Sequence, residues 1–289
     1  MTISSLGLSL LILTMNLCIY SIAGSTIGAK LDNSQIKLSA KNAAYSTFFT
    51  TLISSMCLVY AFVTNDFSIK YVFNHSNLSM DPAYTWVAMY AGNEGSLLYI
   101  ALVISLSILL VLLFKPKDMI ESEPHLVAIM SGFLLFFISV MVFFANPFDT
   151  FQTNIPSDGR GMNPLLAHPG MFSHPPLLMA GLATISVPFS LITSMILTGT
   201  FRNNGLDFVR TTSLIVWCIL GVGLLLGSWW AYTILGWGGY WVWDPIENVG
   251  LMPWLVMTAF IHSIIVQRRR GMFRVWNVIL IFLAFVLAQ

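Results

Sequence analysis

Trp229, Trp230, Trp237, Trp241 and Trp243, with Tyr232 and Tyr240, crowd into the 20 residues from Trp229 to Asn248, and Gly236, Gly238 and Gly239 stand between the rings. Indole and phenol rings offer wide planar apolar faces. Glycine lets the backbone come close to whatever lies flat against them. That combination suits a flat macrocycle such as a porphyrin. An aromatic belt at a membrane surface also concentrates tryptophan, but it needs no glycines interleaved among the rings. The next four residues, Asp244-Pro245-Ile246-Glu247, have the pattern of a helix start: Asp as N-cap, Pro at the first helical position and Glu at the third. Much of the purpose of Asp244 and Glu247 is therefore structural.

Two of the five histidines stand out. His174 precedes Pro175 and Pro176. A residue before proline is biased toward extended backbone and proline is sterically easy at a helix start, so His174 is expected at a rigid helix entrance with its imidazole free to face a neighbour. His168, also before a proline, ranks second. His262 lies 12 residues beyond Gly250 in an apolar stretch, about 18 Å along a helix axis, and is expected to be buried at membrane depth. An ionisable residue there is a functional candidate by default, and neutral imidazole is the usual axial ligand of a b-type heme. The plain alternative is a histidine bonded to a neighbouring helix. No Ser-His-Asp set, metalloprotease motif or phosphate loop competes with these candidates. Cys18, Cys57 and Cys218 form no CxxC and read as small buried hydrophobes.

The elements that carry these residues follow from composition. Hydrophobic residues make up 57% of the chain and charged residues 9%, too little polar surface to cover a water-soluble globule. A bilayer-spanning helix needs roughly 20 apolar residues, and eight stretches qualify or nearly so: 4–27, 43–63, 97–114, 126–145, 177–199, 213–232, 249–266 and 275–289. Backbone polar groups in lipid must be satisfied within the segment, so these are helices. The reading is an all-α, polytopic integral membrane protein with about eight transmembrane helices, forming one membrane domain over 1–289. The first stretch is taken as a retained span. Eleven of the 13 Lys and Arg fall in the connections 28–42, 115–125, 200–212 and 267–274. Basic residues stay on the cytoplasmic side. This places the N-terminus, the loops 64–96 and 146–176 and the tryptophan segment outside, and function is expected on that face. A net charge of +1 with no basic stripe excludes nucleic acid as a partner.

The run Trp237-Gly238-Gly239-Tyr240-Trp241-Val242-Trp243-Asp244-Pro245 resembles the WWD signature of the heme-handling membrane proteins of cytochrome c biogenesis. Its continuation, Glu247-Asn248-Val-Gly-Leu-Met-Pro253-Trp254, resembles the CcmF branch, with its NrfE relatives: the heme lyase subunit of a multi-component system. The resemblance implies that this chain corresponds to the N-terminal portion of a longer CcmF. It also implies that 229–248 is an outward-facing segment holding substrate heme, with Trp229, Trp230, Trp237, Gly238, Gly239, Tyr240, Trp241, Trp243, Asp244, Pro245, Glu247 and Asn248 around it and Trp237, Trp241, Trp243 and Asp244 nearest the chemistry. By the same carry-over His174, in the His-Pro-Pro pattern, becomes an axial ligand of that heme, and His262, after Met252-Pro253-Trp254, a ligand of a structural heme b in the membrane. Gly92-Asn93-Glu94-Gly95-Ser96 resembles an outer motif of the family, in which a His often precedes the Glu. A helix start is the plain reading of it. Asp158 and Arg160 read as loop stabilisers.

The function implied is receipt of heme on the extracytoplasmic face and its covalent attachment to the CxxCH thiols of apocytochrome c, in the inner (cytoplasmic) membrane, or the mitochondrial inner membrane if organellar. Implied partners are a CcmE-like heme chaperone, apocytochrome c, CcmH/CcmG-like thiol-reducing and apocytochrome-holding subunits, and the remaining CcmF portion or a companion chain. The last is expected to bring the second axial ligands, since neither His75 nor His125 stands in a suitable motif. Two rivals remain: a heme or small-solute transporter, and an electron-transferring cytochrome b. The latter would want paired histidines on facing helices.

Overall fold

The computed structural model describes residues 2–235 and 239–288. It is a bundle of helices. Among the described residues the extended backbone pairs only at an isolated bridge, Ile69 with Thr150. The first hairpin is α1 (Ile3–Lys30) and α2 (Ser34–Val63), and α5 (Asn93–Phe114) and α6 (Glu123–Phe143) complete the N-terminal half. Two short helices, α3 (Lys70–His75) and α4 (Pro82–Thr85), lie between α2 and α5. The second half comprises α7 (His174–Thr184), α8 (Ser186–Thr198), α9 (Asn203–Leu235), α10 (Pro245–Arg270) and α11 (Arg274–Ala288).

Among the described residues seven helical runs are long and apolar enough to cross a membrane, with Pro169–Thr198 counted as one. The eighth expected stretch is a helix of 15 residues, Arg274–Ala288, short of the roughly 20 that a full span needs. The fifth stretch is not one straight helix. It divides at Ile185 into α7 and α8, three residues before Pro188, whose ring clashes with the carbonyl four positions back and cannot donate into the helix. Cys218 also departs from expectation, being exposed on α9, whereas Cys18 and Cys57 are buried.

Helix association in lipid relies on close backbone approach and interhelical hydrogen bonds, and the first hairpin uses both. Gly24 of α1 meets Ala40 of α2, Thr14 and Thr50 pair through their hydroxyls at 2.7 Å, and the Ser54 hydroxyl donates to the Gly7 carbonyl at 3.1 Å.

Ion pairs collect four connections at one end of the bundle. Glu123 pairs with Lys41 at 3.2 Å and with Lys115, Arg202 with Glu121 at 3.0 Å, and Arg268 with Asp207 at 2.7 Å. The opposite end gathers His75, His168 and His174 with Trp229 and Trp230. There Lys70 pairs with Asp149 at 2.7 Å, the Leu78 N–H donates to Asp158, and the Tyr90 hydroxyl donates to the Met171 carbonyl at 3.1 Å. Arg160 lies over the Phe73 ring at 5.3 Å. Asp158 and Arg160 thus both stitch the loop at this end.

The contact that positions the candidate site is α7 against α9. A Cβ added to Gly181 would lie 2.6 Å from the Leu220 Cα, and one added to Gly223 would lie 2.8 Å from the Leu178 nitrogen. Both obstacles are backbone, which cannot swing aside. Gly223 and Gly227 are one turn apart, the small-residue spacing that lets membrane helices touch. Gly132 on α6 has nothing within 4 Å of such a Cβ. Gly181→Ala is therefore expected to lower stability by about 1–3 kcal/mol through overpacking. Gly132→Ala should be neutral or stabilising by about 0.5–1 kcal/mol through reduced chain entropy. Thermal unfolding of the two variants in detergent checks the pair, and equal melting temperatures would contradict the contact.

Candidate functional site

At the histidine end, the cleft between α7, α9 and the start of α10 has a volume of about 250 Å³ and is lined by His174, Leu178, Gly227, Trp230, Trp241 and Glu247, among others. His174 is the first residue of α7. Its Nδ1 lies 2.9 Å from the Gly223 carbonyl oxygen. A carbonyl only accepts, so Nδ1 carries the proton and Nε2 keeps its lone pair. Gly227 makes room for the ring, since a Cβ there would lie 2.6 Å from the His174 Cε1. Trp230 meets the imidazole edge-on, centroids 5.5 Å apart and planes at 87°. Among the described residues Nε2 has no partner, and an imidazole fixed through Nδ1–H to a backbone carbonyl with Nε2 unengaged is the usual arrangement of a metal-ligating histidine.

His168 has both nitrogens in use. Its Nδ1 accepts from the Gly170 N–H at 3.0 Å, which leaves the proton on Nε2 to be donated to the Thr233 hydroxyl at 3.2 Å. Its ring stacks on Trp230 at 6.0 Å and tilts against Trp229 at 5.0 Å. It ties the loop before α7 to the end of α9 and leaves no lone pair for iron.

The tryptophan segment is not one loop. Trp229 and Trp230 lie on the last turns of α9, and Pro245 opens α10. Between them Tyr240 stacks on Tyr232 at 4.3 Å, beside Gly239 at φ 75°. Trp237 and Gly238 fall outside the described residues. Asp244 is the N-cap, its carboxylate accepting from the Glu247 N–H at 2.6 Å. Glu247 reaches back with Oε2 to the N–H groups of Val242 and Trp243, at 3.0 and 2.8 Å, and the Asn248 amide donates to the Trp243 carbonyl at 3.1 Å. These bonds hold Trp243 at φ 58°, a left-handed conformation that a bulky side chain adopts only when its surroundings impose it. Trp241 contributes to the cleft wall, and its Nε1–H is buried with no partner among the described residues.

His262 departs from the sequence expectation. It is exposed on the outside of the bundle rather than buried within it. The apolar run around it fixes only its depth along α10, and the face was decided by how α10 packs on α9 and α11. Its Nδ1 lies 2.8 Å from the Thr258 carbonyl, so again Nδ1–H donates and Nε2 is unengaged. The two candidate ligands occupy separate places.

Sequence reasoning missed what lies between them. Trp217 and Trp254 stack with centroids 5.1 Å apart at 17°. The Trp217 Nε1–H donates to the Thr258 hydroxyl at 2.7 Å, and the Trp254 Nε1–H to the Trp217 carbonyl at 3.2 Å. Thr258 therefore touches both His262, through its carbonyl, and the indole pair, through its hydroxyl. The pair lines a second, almost wholly apolar cleft of about 380 Å³ that shares Leu224, Ser228 and Trp241 with the first. The available signal was Gly221, one helical turn after Trp217, which a Cβ would bring within 2.8 Å of the Trp254 Nε1. The Gly92–Ser96 stretch is a helix start, as its plain reading held. The Tyr71 hydroxyl accepts from the Gly92 N–H and donates to the Met89 carbonyl, both at 2.9 Å, and burial pushes its pKa well above the ordinary tyrosine range.

A family model described as cytochrome C assembly protein matches residues 90–288. The chain belongs to that family. It is 41% identical over 252 residues to the cytochrome c-type biogenesis protein CcmF of Pseudomonas fluorescens, covering 86% of this chain and 38% of the relative. It is 37% identical over 287 residues to CcmF of Escherichia coli strain K12, covering 98% and 42%, and 34% identical over 248 residues to NrfE of Haemophilus influenzae, covering 84% and 39%. A solved structure titled cytochrome c heme lyase CcmF superposes with a TM-score of 0.87 at 32% identity, over all of this chain and 46% of that one. The chain thus spans about two fifths of the length of the family members it matches.

Glu247→Ala would leave the Val242 and Trp243 N–H groups without their acceptor. Such a loss costs about 1–2 kcal/mol and should release Trp243 from its left-handed conformation. Limited proteolysis across 239–244 should accelerate in Glu247→Ala. Unchanged cleavage would show that the turn does not depend on this carboxylate.

Proposed function

We propose that this chain is the heme-receiving part of a CcmF-type heme lyase, presenting substrate heme at the histidine end for covalent attachment to apocytochrome c. The observation that carries the reading is His174: a fixed tautomer with Nε2 unengaged, in a cleft walled by Trp230 and Trp241. The cleft is smaller than the 300–1,000 Å³ of enclosed ligand pockets and open, which suits a macrocycle held by one face and edge while its vinyl groups stay accessible.

In the attachment step the cysteine sulfur bonds a vinyl carbon and the thiol hydrogen passes to the adjacent carbon, so no electrons are gained or lost. The thiols come from the apocytochrome's own CxxCH, so this chain needs none. His174 would supply one axial nitrogen, the Trp241–Trp243 turn would fix the ring plane, and the orphan Trp241 Nε1–H would meet a polar edge. A CcmE-like chaperone would deliver the heme, and CcmH/CcmG-like subunits would hold and reduce the apocytochrome. On the sidedness of Lys and Arg, this end faces away from the cytoplasm.

His262 fits a resident heme b. His262 is exposed on the outside of the bundle, where an imidazole left against lipid is costly, so another helix is expected to cover this face and supply the second ligand. That helix would belong to the remaining CcmF portion or to a companion chain. The group would supply one-electron chemistry, and Thr258 would fix the His262 ring through its carbonyl.

The test is purification with its partners, followed by optical spectra of His174→Ala, His262→Ala and His168→Ala beside a reporter cytochrome c. His174→Ala should abolish reporter maturation while retaining the b-type spectrum, His262→Ala should lose that spectrum, and His168→Ala should keep both. Wild-type heme content and reporter maturation in the first two variants would overturn the reading, and heme export without covalent attachment would favour a transporter instead.

A further inference from the structure

At the basic end of the bundle, the start of α9, the end of α10 and the start of α11 enclose a cavity of about 380 Å³ that plays no part in the heme reading. Its polar lining is two guanidinium groups and two carboxamides, with no carboxylate among the described lining residues. Arg268 and Arg274 both reach it, with Asn203 at the first position of α9. Arg268 also pairs with Asp207 at 2.7 Å, which uses only part of a guanidinium's five N–H groups. Arg274 has no carboxylate within ion-pair distance among the described residues.

Gln267 adds a built element. It is 7% exposed and lines the cavity, and its Oε1 accepts from the Asn277 Nδ2 at 2.5 Å, with no partner for its own amide N–H groups among the described residues. The first turns of α9 and α11 also present backbone N–H groups that have no acceptor within the helix, where the helix dipole favours an anion. Gly271, at φ 69° after α10, makes the tight turn that brings Arg274 back beside Arg268.

The other wall is apolar, formed by Leu206, Val275 and Val278. Guanidinium and amide donors at the mouth, with an aliphatic wall running toward the membrane interior, match a phosphodiester joined to an acyl chain. A free phosphate would have no use for that wall. Basic pockets between transmembrane helices characteristically take anionic lipid headgroups.

We propose that this cavity is a binding site for an anionic phospholipid of the leaflet at the basic end, its phosphodiester between Arg268 and Arg274 and its acyl chain along Leu206, Val275 and Val278. The bound lipid joins α11 to α9 and α10 at the end where Arg269 and Arg270 add like charge. This inference is independent of the heme reading, and its test involves no heme.

The protein, alone and with its companion subunits, is reconstituted in detergent. It is titrated with phosphatidylglycerol or phosphatidylcholine of identical acyl chains and read by native mass spectrometry. At least tenfold preference for phosphatidylglycerol is expected. The double variant R268Q/R274Q should bring the preference within twofold. Val278→Trp, which keeps both arginines and fills the aliphatic wall, should weaken binding of either lipid. Lys37→Gln, a charge removed elsewhere at the same end, should change nothing. Equal binding of the two lipids, displacement by millimolar inorganic phosphate, equal loss in Lys37→Gln, or no retained phosphatidylglycerol in the assembled complex would each overturn the proposal. A double variant that fails to fold leaves the Val278→Trp and phosphate arms to decide.

Discussion

The close approach of α7 to α9 is the contact on which the candidate site depends. Gly181 and Gly223 let the two backbones meet, and Gly227 opens the space that the His174 ring fills. Because the helices are that close, the first side chain of α7 reaches a main-chain carbonyl of α9, and that carbonyl decides which imidazole nitrogen carries the proton. A methyl added at Gly181 would meet the Leu220 backbone and press α7 away from α9 along the contact that sets the His174 bond and the cleft. The break of the fifth span at Ile185, ahead of Pro188, leaves α7 a short helix whose direction is set by this contact rather than by α8.

The second constraint is the cap of α10. Asp244, Glu247 and Asn248 are all engaged with backbone between Val242 and Glu247, so their work is to hold the preceding tryptophans in a turn that bulky residues avoid. A helix cap and a ligand platform are thus the same structure. Trp241 stands in the cleft wall next to backbone, from Val242 onward, that three polar side chains fix.

Beyond the cleft, the bundle's outer surface is unevenly finished. The lipid-facing aliphatic side chains of α1 and α2 are ordinary for a membrane protein. An exposed histidine on α10, however, and an arginine- and carboxamide-lined cavity where α9, α10 and α11 meet are surfaces that hydrocarbon alone satisfies poorly. They lie on the half of the chain that also carries the cleft. The Trp217–Trp254 stack, joined to His262 through Thr258, makes that half continuous from the cleft to membrane depth.

Much of this could be read in the amino-acid sequence, for a physical reason. Membrane spans, their ends and their alternation depend on local apolarity and on where Lys and Arg fall, and the ion pairs of Glu123, Glu121 and Asp207 gather those same basic connections at one end. The Asp-Pro-Ile-Glu cap and the His-Pro-Pro helix entrance are likewise local. What faces what is not local. An apolar stretch gives a residue's depth but not its side, so His262 was expected inside the bundle and stands outside it, and Cys218 did the same. Only packing made His168 a loop tie and His174 the histidine with a lone pair to spare, since the difference lies in a hydroxyl from Thr233 and a carbonyl from Gly223, far away in sequence. The Trp217–Trp254 pair and the arginine-lined cavity exist only where three helices converge, and no run of neighbouring residues encodes that convergence.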